Sequence, residues 1–137
     1  MTNSFGFEPD WEQYKEEVGS NRIQPIKESI QNLDDPEEKM LMIMEALTED
    51  LEIIPDVGNF YTFVYNARTP QLQYDQHPLI ACTDVQRWGF RGWNYHWEDW
   101  RNYNWNEVAG QLYVVRPSEV MDLRQIAYAY YKVVAPI

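Results

Sequence analysis

Apolar residues recur at helical spacing, every three or four positions, along the first 54 residues of the chain. This spacing predicts helices over residues 9–18 and 22–33, each with a proline in its first turn, where a missing backbone N–H is tolerated. A third helix is predicted to start at Pro36. It must stop by Ile54, because a residue that precedes a proline avoids helical backbone geometry.

The third helix carries the clearest signals of the three. Asp34 or Asp35 is expected to cap its N-terminus, since a side-chain carboxylate there accepts a free backbone N–H. Its apolar stripe consists of Met40, Ile43, Met44, Leu47 and Leu51. All three helices are too short to be stable alone, so each must pack on the rest of this chain or on another chain. Both possibilities remain open at this stage.

After Asp56 the pattern changes to β-forming residues. Strands are predicted over residues 60–65, 79–85, 112–115 and 128–134. A helix is predicted over residues 119–126, with Ser118 as its N-terminal cap. Both faces of the first strand are apolar, so both are expected to be covered. Gly89 and Gly92 bracket two residues and predict a tight bend or a close approach of two backbones.

Residues 88–105 hold five of the six tryptophans, namely Trp88, Trp93, Trp97, Trp100 and Trp105. Trp93, Trp97 and Trp100 lie at helical spacing, which predicts one helical turn around residues 96–101. The cluster fits a hydrophobic core, a protein interface, or a platform on which sugars or bases stack. Arginines are interleaved with these rings, and tryptophan, tyrosine and arginine are the residues enriched at the energetic centres of interfaces.

Together the elements predict an α+β protein in two parts. Residues 1–56 are expected to form an acidic helical arm, and residues 57–137 a compact aromatic-rich β-domain, a small barrel or sandwich of SH3-like size. The charge distribution supports this boundary. Residues 1–56 contain fifteen acids and four bases, which account for the whole net charge of −11, whereas the remainder is neutral.

The composition excludes several classes of function. The strong negative charge argues against direct binding of nucleic acid, which depends on lysine and arginine at the phosphates. No apolar run reaches the roughly 18 residues of a membrane-spanning helix. The single cysteine, Cys82, excludes an internal disulfide and a metal site built from cysteines alone.

The sequence gives only weak signals of a catalytic or metal site. Cys82 lies in an apolar run, where a buried, unreactive thiol is expected even though His77 is near in sequence. Asp75 and His77 have the spacing of two metal ligands, but no further histidine or cysteine lies close to them in the sequence. We therefore predict no catalytic residue, no metal and no cofactor, and a small-molecule ligand is not favoured.

Two adjacent acids lie among the tryptophans. Glu98 and Asp99 have the surroundings that raise a carboxyl pKa in glycosidases. Two neighbouring acids are a weak signal by themselves, and we expect them to pair with Arg91 or Arg101 instead.

One string of motifs resembles a known family. Gly58–Tyr65 is followed by Tyr74-Asp75-x-His77-Pro78-Leu79-Ile80 and then by Gly89-Phe90-x-Gly92-x-Asn94-Tyr95-His96-Trp97. This string is similar to that of small uncharacterised structural proteins encoded by large contractile-tailed bacteriophages, including those that infect cyanobacteria. The similarity covers residues 57–117 and leaves the acidic arm outside it. It implies a structural part of a virion and identifies no catalytic residue.

We therefore predict a non-enzymatic structural subunit of a phage tail, baseplate or neck. It would be present in several copies and assembled with other virion proteins in the host cytoplasm. The residues predicted to anchor its interfaces are Trp88, Arg91, Trp93, Trp97, Trp100, Arg101, Trp105, Met40, Met44 and Leu47. One alternative is a carbohydrate-binding module that uses Trp93, Trp97 and Trp100. The other is a nucleic-acid mimic whose acidic arm occupies the basic site of a DNA-binding protein.

Overall fold

A computed structural model describes residues 20–66 and 77–128 of the chain. The predicted helix over residues 9–18 and nearly all of the predicted final strand over residues 128–134 lie outside the described residues. Within them, three α-helices pack on one face of a six-stranded antiparallel sheet. The α+β class is therefore confirmed. No helix in the described ranges is long and apolar enough to cross a membrane.

The helices and strands are numbered in chain order. The helices are α1 (Lys27–Gln31), α2 (Pro36–Leu47) and α3 (Pro117–Arg124), and single 3₁₀ turns occupy Gln24–Ile26 and Trp105–Glu107. The strands are β1 (Leu51–Glu52), β2 (Phe60–Tyr65), β3 (Leu79–Val85), β4 (Gly89–Asn94), β5 (Asp99–Asn104) and β6 (Val108–Val115). Their order across the sheet is β1-β6-β2-β3-β4-β5.

Helix α2 begins where the sequence predicts it. The side chain of Asp35 accepts a hydrogen bond from the backbone N–H of Glu37 at 3.0 Å, which selects Asp35 over Asp34 as the cap. The helix ends at Leu47, earlier than the limit set by Pro55. Leu51 therefore leaves the helical stripe and instead pairs with β6 as part of β1.

Both faces of the sheet are buried. The face toward the helices forms one core, to which Ile30, Ile43 and Val120 contribute from the helices, and Phe60, Leu79 and Val115 from the strands. The opposite face forms a second, aromatic core around Tyr61, Phe63, Tyr65, Ile80, Cys82, Phe90, Tyr103 and Leu112. The prediction that both faces of β2 are covered is therefore confirmed.

The sheet curls around the aromatic core. The rings of Phe63 on β2 and Tyr103 on β5 have centroids 5.2 Å apart, although β3 and β4 lie between these strands in the sheet. In a flat sheet three strand spacings would separate them by about 14 Å. The register of the β2–β6 and β3–β4 pairs is also irregular, which adds bending. Among the described residues the sheet nevertheless remains open, and a closed barrel is not shown.

The described part of the predicted arm is not separate from the β-domain. Ile23, Met40 and Leu47 belong to the same core as the sheet residues, and β1 is itself a strand of that sheet. Residues on both sides of the predicted boundary at residue 56 therefore share one core and one sheet. Docking of this segment on a neighbouring chain stays a prediction.

A polar hub fastens this region to the last helix. The guanidinium of Arg22 binds the carboxylate of Glu119 at 2.8 and 2.9 Å and that of Asp50 at 2.7 Å. The backbone N–H groups of Arg22 and Arg116 also donate to Glu119, whose side chain is fully buried. These four residues, called the polar hub below, join the segment before α1, the segment before β1 and the start of α3.

Two local predictions are wrong. The tryptophan segment forms a β-hairpin of β4 and β5 rather than a helical turn, and Trp93 lies directly opposite Trp100 in it. Ser118 does not cap α3, because the helix already begins at Pro117 with Arg116 as its cap residue. The Glu119 carboxylate accepts the Arg116 N–H there, and the Ser118 hydroxyl has no hydrogen-bond partner among the described residues.

The close backbone approach predicted for the glycine pair is confirmed at Gly92. A Cβ atom at this position would lie 2.7 Å from the carbonyl oxygen of Ala81 on the neighbouring strand. The chain does not bend between Gly89 and Gly92, since both lie in β4.

Candidate interaction surfaces

The tryptophans of the hairpin pack mainly on each other and on arginines. The rings of Trp93 and Trp100 meet edge to face at 5.2 Å, and Trp93 is 7% exposed within the helix-side core. The guanidinium of Arg91 lies over the Trp100 ring at 5.1 Å. Such contacts stabilise the hairpin and cover the ring face that a ligand would need.

The turn between β4 and β5 holds a second arginine–tryptophan pair. The guanidinium of Arg101 lies 5.5 Å from the centre of the Trp97 ring. The buried side chain of Asn94 fixes the turn, since its oxygen accepts the backbone N–H groups of His96 and Trp97, each at 2.9 Å. Its amide nitrogen donates to the hydroxyl of Tyr103 at 3.0 Å. Trp97 is thus held by the scaffold.

Trp88 is the most exposed tryptophan of the segment, at 45%. Its neighbour Trp105 is half-buried, because its indole N–H donates to the carbonyl of Arg87 and its ring packs 5.6 Å from Phe90. Of the five rings, Trp88 is the one that offers a large apolar surface to a partner.

The predicted anchors on α2 divide between core and surface. Met40 and Leu47 are buried in the helix-side core and pack within the chain. Met44 is partly exposed and lines a cleft of about 280 Å³ together with Leu41, Val64 and the buried His77. Among the predicted interface residues, Met40, Leu47 and Trp93 therefore stabilise the fold, and the others reach the surface to different degrees.

Most of the large aliphatic side chains that are exposed among the described residues lie in one short stretch, for which the sequence predicts no interaction surface. Four aliphatic residues between the end of α2 and the start of β2 are exposed, and we call them the aliphatic loop: Leu51 at 39%, Ile53 at 76%, Ile54 at 62% and Val57 at 59%. The sequence pattern predicts that the residues up to Ile54 belong to the end of a helix, so it does not predict an exposed strand and loop there. One sequence signal of this exposed surface is the pair of adjacent isoleucines before a proline. Two adjacent side chains cannot both face the core that α2 contacts.

Hydrogen bonds hold the backbone of the aliphatic loop at both ends. The carbonyl of Asp50 accepts the N–H of Val114 at 2.9 Å, and the N–H of Gly58 donates to the carbonyl of Cys82 at 2.8 Å. Between them, the buried phenol of Tyr61 donates to the carboxylate of Glu52 and accepts the N–H of Asp56 at 2.7 Å. Burial raises the pKa of this phenol, so it stays protonated and able to donate.

Two histidines, the buried His77 and the half-buried His96, meet at Tyr128 on the helix-side face. The ring of His96 packs edge to face on Tyr128 at 4.9 Å, and the ring of His77 stacks on it at 6.5 Å. The hydroxyl of Thr62 donates to the carbonyl of Pro78 at 2.7 Å, so Tyr128 donates to Thr62 at 2.9 Å. Nε2 of His96 lies 3.1 Å from the carbonyl of Leu123 and donates to it.

Burial keeps both histidines neutral near pH 7. It lowers the pKa of His77 to about 4, against a smaller opposing effect of Asp35. Burial also lowers the pKa of His96, as does the nearby positive charge of Arg124, whereas hydrogen bonds to the carbonyls of Leu123 and Ile126 oppose the change. The three rings therefore pack as one largely buried unit on the helix-side face of the sheet.

We expect the stability of the fold to fall as the pH drops from about 6.5 to about 4. The unfolded chain takes up a proton on His77 near pH 6.5, whereas the folded protein does so only near pH 4. The stabilisation is therefore complete above pH 6.5, and its loss should reach about 2–3 kcal/mol at pH 4.

Urea unfolding at several pH values measures this loss. The variant His77→Gln serves as the reference, because carboxylates also titrate in this range and remain in both proteins. If the free energy of unfolding depends on pH in the same way in both proteins, His77 is not the source of the loss.

The residues considered for catalysis are not brought together. Cys82 is buried in the aromatic core, whereas His77 contacts Tyr128 in the core on the opposite face of the sheet. Burial also raises the pKa of the Cys82 thiol to about 11, which leaves little thiolate near pH 7. Asp75 lies outside the described residues. Within the described ranges no group of three metal-binding side chains is present.

Glu98, in the hairpin turn, and Asp99, the first residue of β5, are both exposed. Glu98 pairs weakly with Arg124, at 3.9 Å, rather than with Arg91 or Arg101. Asp99 accepts the backbone N–H of Trp100 at 2.8 Å. Glu98 has a positive φ of 53°, which the tight turn imposes.

Comparisons with known proteins do not identify a relative. No family model, no curated protein and no solved structure matches the chain.

Proposed function

We propose that this protein is a non-catalytic structural subunit of a tailed-phage particle, located in the tail, baseplate or neck, and that it acts by holding neighbouring proteins in contact. The observation that carries the proposal is the aliphatic loop. A small domain seldom exposes several large aliphatic side chains within one short stretch of chain unless they are covered by a partner. Here three of them are more than half exposed.

We also propose that the curled sheet is the small SH3-like barrel that the sequence predicts. The contact between Phe63 and Tyr103 supports this fold, because it draws β2 and β5 together across the inside of the sheet. The short 3₁₀ turn Trp105–Glu107 supports it as well, since it leads directly from β5 into β6, which pairs with β2. Such a scaffold holds its loops rigidly and can present them to other subunits.

Protein contact is favoured over carbohydrate binding by the geometry of the tryptophans. A sugar ring stacks on a flat, accessible aromatic face. Trp93 and Trp100 are inclined at 76° and therefore share no plane, and Arg91 covers the Trp100 ring. The exposed ring of Trp88 is single and suits an anchor in a protein interface.

The presence of the protein in purified particles tests the proposal. Particles are separated by density gradient from a culture in which the gene is expressed during infection, and the protein is quantified in them with a specific antibody. We expect a constant number of copies per particle that resists washing with high salt. Recovery of the protein only in the soluble fraction of the infected cells, with none in the particles, would overturn the proposal.

A further inference from the structure

We infer that the aliphatic loop binds a partner protein at an apolar pocket bordered by lysine or arginine side chains. This inference rests on the proposed function and specifies the chemistry of one of its contacts. It follows from three properties of the loop: its exposed apolar surface, its fixed backbone and the sign of the charge around it.

The apolar surface is concentrated in a short stretch of chain. Ile53 and Ile54 are adjacent and 76% and 62% exposed, and Val57 follows three residues later at 59%. The buried Pro55 between them packs inward, so the loop is anchored at its middle while the isoleucines face solvent. Burial of these side chains in a complementary pocket would supply the main favourable free energy of association.

The backbone of the loop is already ordered in the free protein. Tyr61, itself fully buried, bonds both the side chain of Glu52 and the N–H of Asp56 and so ties the two sides of the loop to β2. A prefolded loop loses little conformational entropy on binding, and the affinity gained from its apolar contacts is correspondingly greater. The isoleucines are therefore exposed on a loop whose backbone is already fixed.

The charge around the loop selects the kind of partner. No lysine or arginine occurs between Lys39 and Arg68, and the acids Glu45, Glu49 and Asp56 in this stretch are exposed. Arg22 and Arg116 reach this stretch at the carboxylate of Asp50, which they bind, and their side chains are 12% and 24% exposed. A second copy docked through the same surface would bring these carboxylates face to face, which costs free energy. Anionic lipid headgroups would be repelled for the same reason. An apolar pocket with lysine or arginine at its border would bury the isoleucines and also attract the surrounding carboxylates.

The experiment uses the full chain and synthetic peptides as probes. One peptide is an amphipathic helix of leucine and lysine, the second replaces its lysines with glutamates, and the third replaces its leucines with serines. Binding is measured by fluorescence anisotropy at two salt concentrations. The double variant Ile53→Ser/Ile54→Ser removes apolar surface, and Glu49→Lys/Asp56→Lys reverses the rim charge.

Leu41→Ser provides the matched control. Leu41 is 62% exposed, like Ile54, and it also lies among acids, because Glu37, Glu38 and Glu45 are neighbours on α2. It therefore controls for non-specific attraction between a basic amphipathic peptide and an acidic protein. The circular dichroism spectrum and thermal midpoint of each variant establish that the fold is unchanged.

We expect the leucine–lysine peptide to bind, and the dissociation constant to rise at least about tenfold in each loop variant and less than about twofold in Leu41→Ser. Weaker binding at high salt and no binding of the other two peptides would also support the inference. Equal binding by all variants would overturn it, as would binding of the leucine–glutamate peptide. Dimerisation that is lost in Ile53→Ser/Ile54→Ser would identify a second copy as the occupant instead.

The same variants separate this inference from the proposed function. If the protein is incorporated into particles and Ile53→Ser/Ile54→Ser is incorporated equally well, the structural role stands and the loop is not its contact. If the wild-type protein is absent from particles while the peptide results hold, the docking surface is real and the particle assignment is wrong.

Discussion

Replacement of Glu119 by glutamine is expected to lower the free energy of unfolding by about 3 kcal/mol, the lower end of the range for a broken buried ion pair, because it removes one charge from a buried network and leaves Asp50 as the remaining carboxylate partner of Arg22. The Glu119 side chain is fully buried and accepts hydrogen bonds from the Arg22 guanidinium and from the backbone N–H groups of Arg22 and Arg116. A glutamine has one oxygen where the carboxylate has two, and its amide group would point a donor at other donors.

The matched control is Asp122→Asn, three residues further along α3. Asp122 also pairs across the structure, with Lys27 at 3.0 Å and with the amide of Asn21 at 2.6 Å, but its side chain is 21% exposed, whereas that of Glu119 is fully buried. Because water reaches this pair, its loss should lower the free energy of unfolding by only about 1 kcal/mol. Equal destabilisation by the two variants would contradict the assignment of the polar hub as the main polar contact between the N-terminal segment and α3.

Replacement of Phe63 by alanine is the second change expected to have a large effect, about 3–5 kcal/mol. Phe63 is fully buried and packs edge to face against Phe90 at 5.7 Å and Tyr103 at 5.2 Å. Its removal would open a cavity in the aromatic core at the point around which the sheet curls. Trp88→Ala is the comparison, and it should lower the free energy of unfolding by only about 1 kcal/mol, because this side chain is already 45% exposed in the folded protein.

A double-mutant cycle tests the curl itself. Phe63→Leu and Tyr103→Leu are made singly and together, and the unfolding free energies are compared. Rings in contact should give a coupling of about 0.5–1.5 kcal/mol. Strictly additive effects would show that β2 and β5 do not meet, since distant sites without shared partners add.

The sequence predicts much of the local structure because the local signals are strong. Pro36 and the capping aspartate define the start of α2, and the runs Phe60–Tyr65 and Leu79–Val85 become β2 and β3 with those bounds. Each signal acts over a few residues and depends on backbone geometry or on alternating burial, so the rest of the fold does not override it.

The tryptophan hairpin shows where periodicity fails. Residues 93, 97 and 100 have the spacing of one helical face, yet a four-residue turn places Trp93 and Trp100 opposite each other on two strands. Both arrangements place Trp93 and Trp100 near each other, so the spacing alone cannot distinguish them. The glycines of β4 were the better guide, because a Cβ at Gly92 would meet the backbone of β3.

The candidate surface and the polar hub escaped prediction for different reasons. Arg22 and Glu119 are 97 positions apart, and no local pattern announces a pair at that separation. Ile53 and Ile54 are among the most apolar residue types, which sequence reasoning assigns to the interior by default. Their exposure became evident only once β1 and the end of α2 were fixed in space.

The coverage of both faces of the sheet has a consequence for the history of this protein. Substitutions on either face disturb a packed interior, so variation that survives selection should accumulate at the rims, and above all in the seven residues from Leu51 to Val57. Homologous proteins could then bind different partners through substitutions in this short stretch, while the fold stays the same.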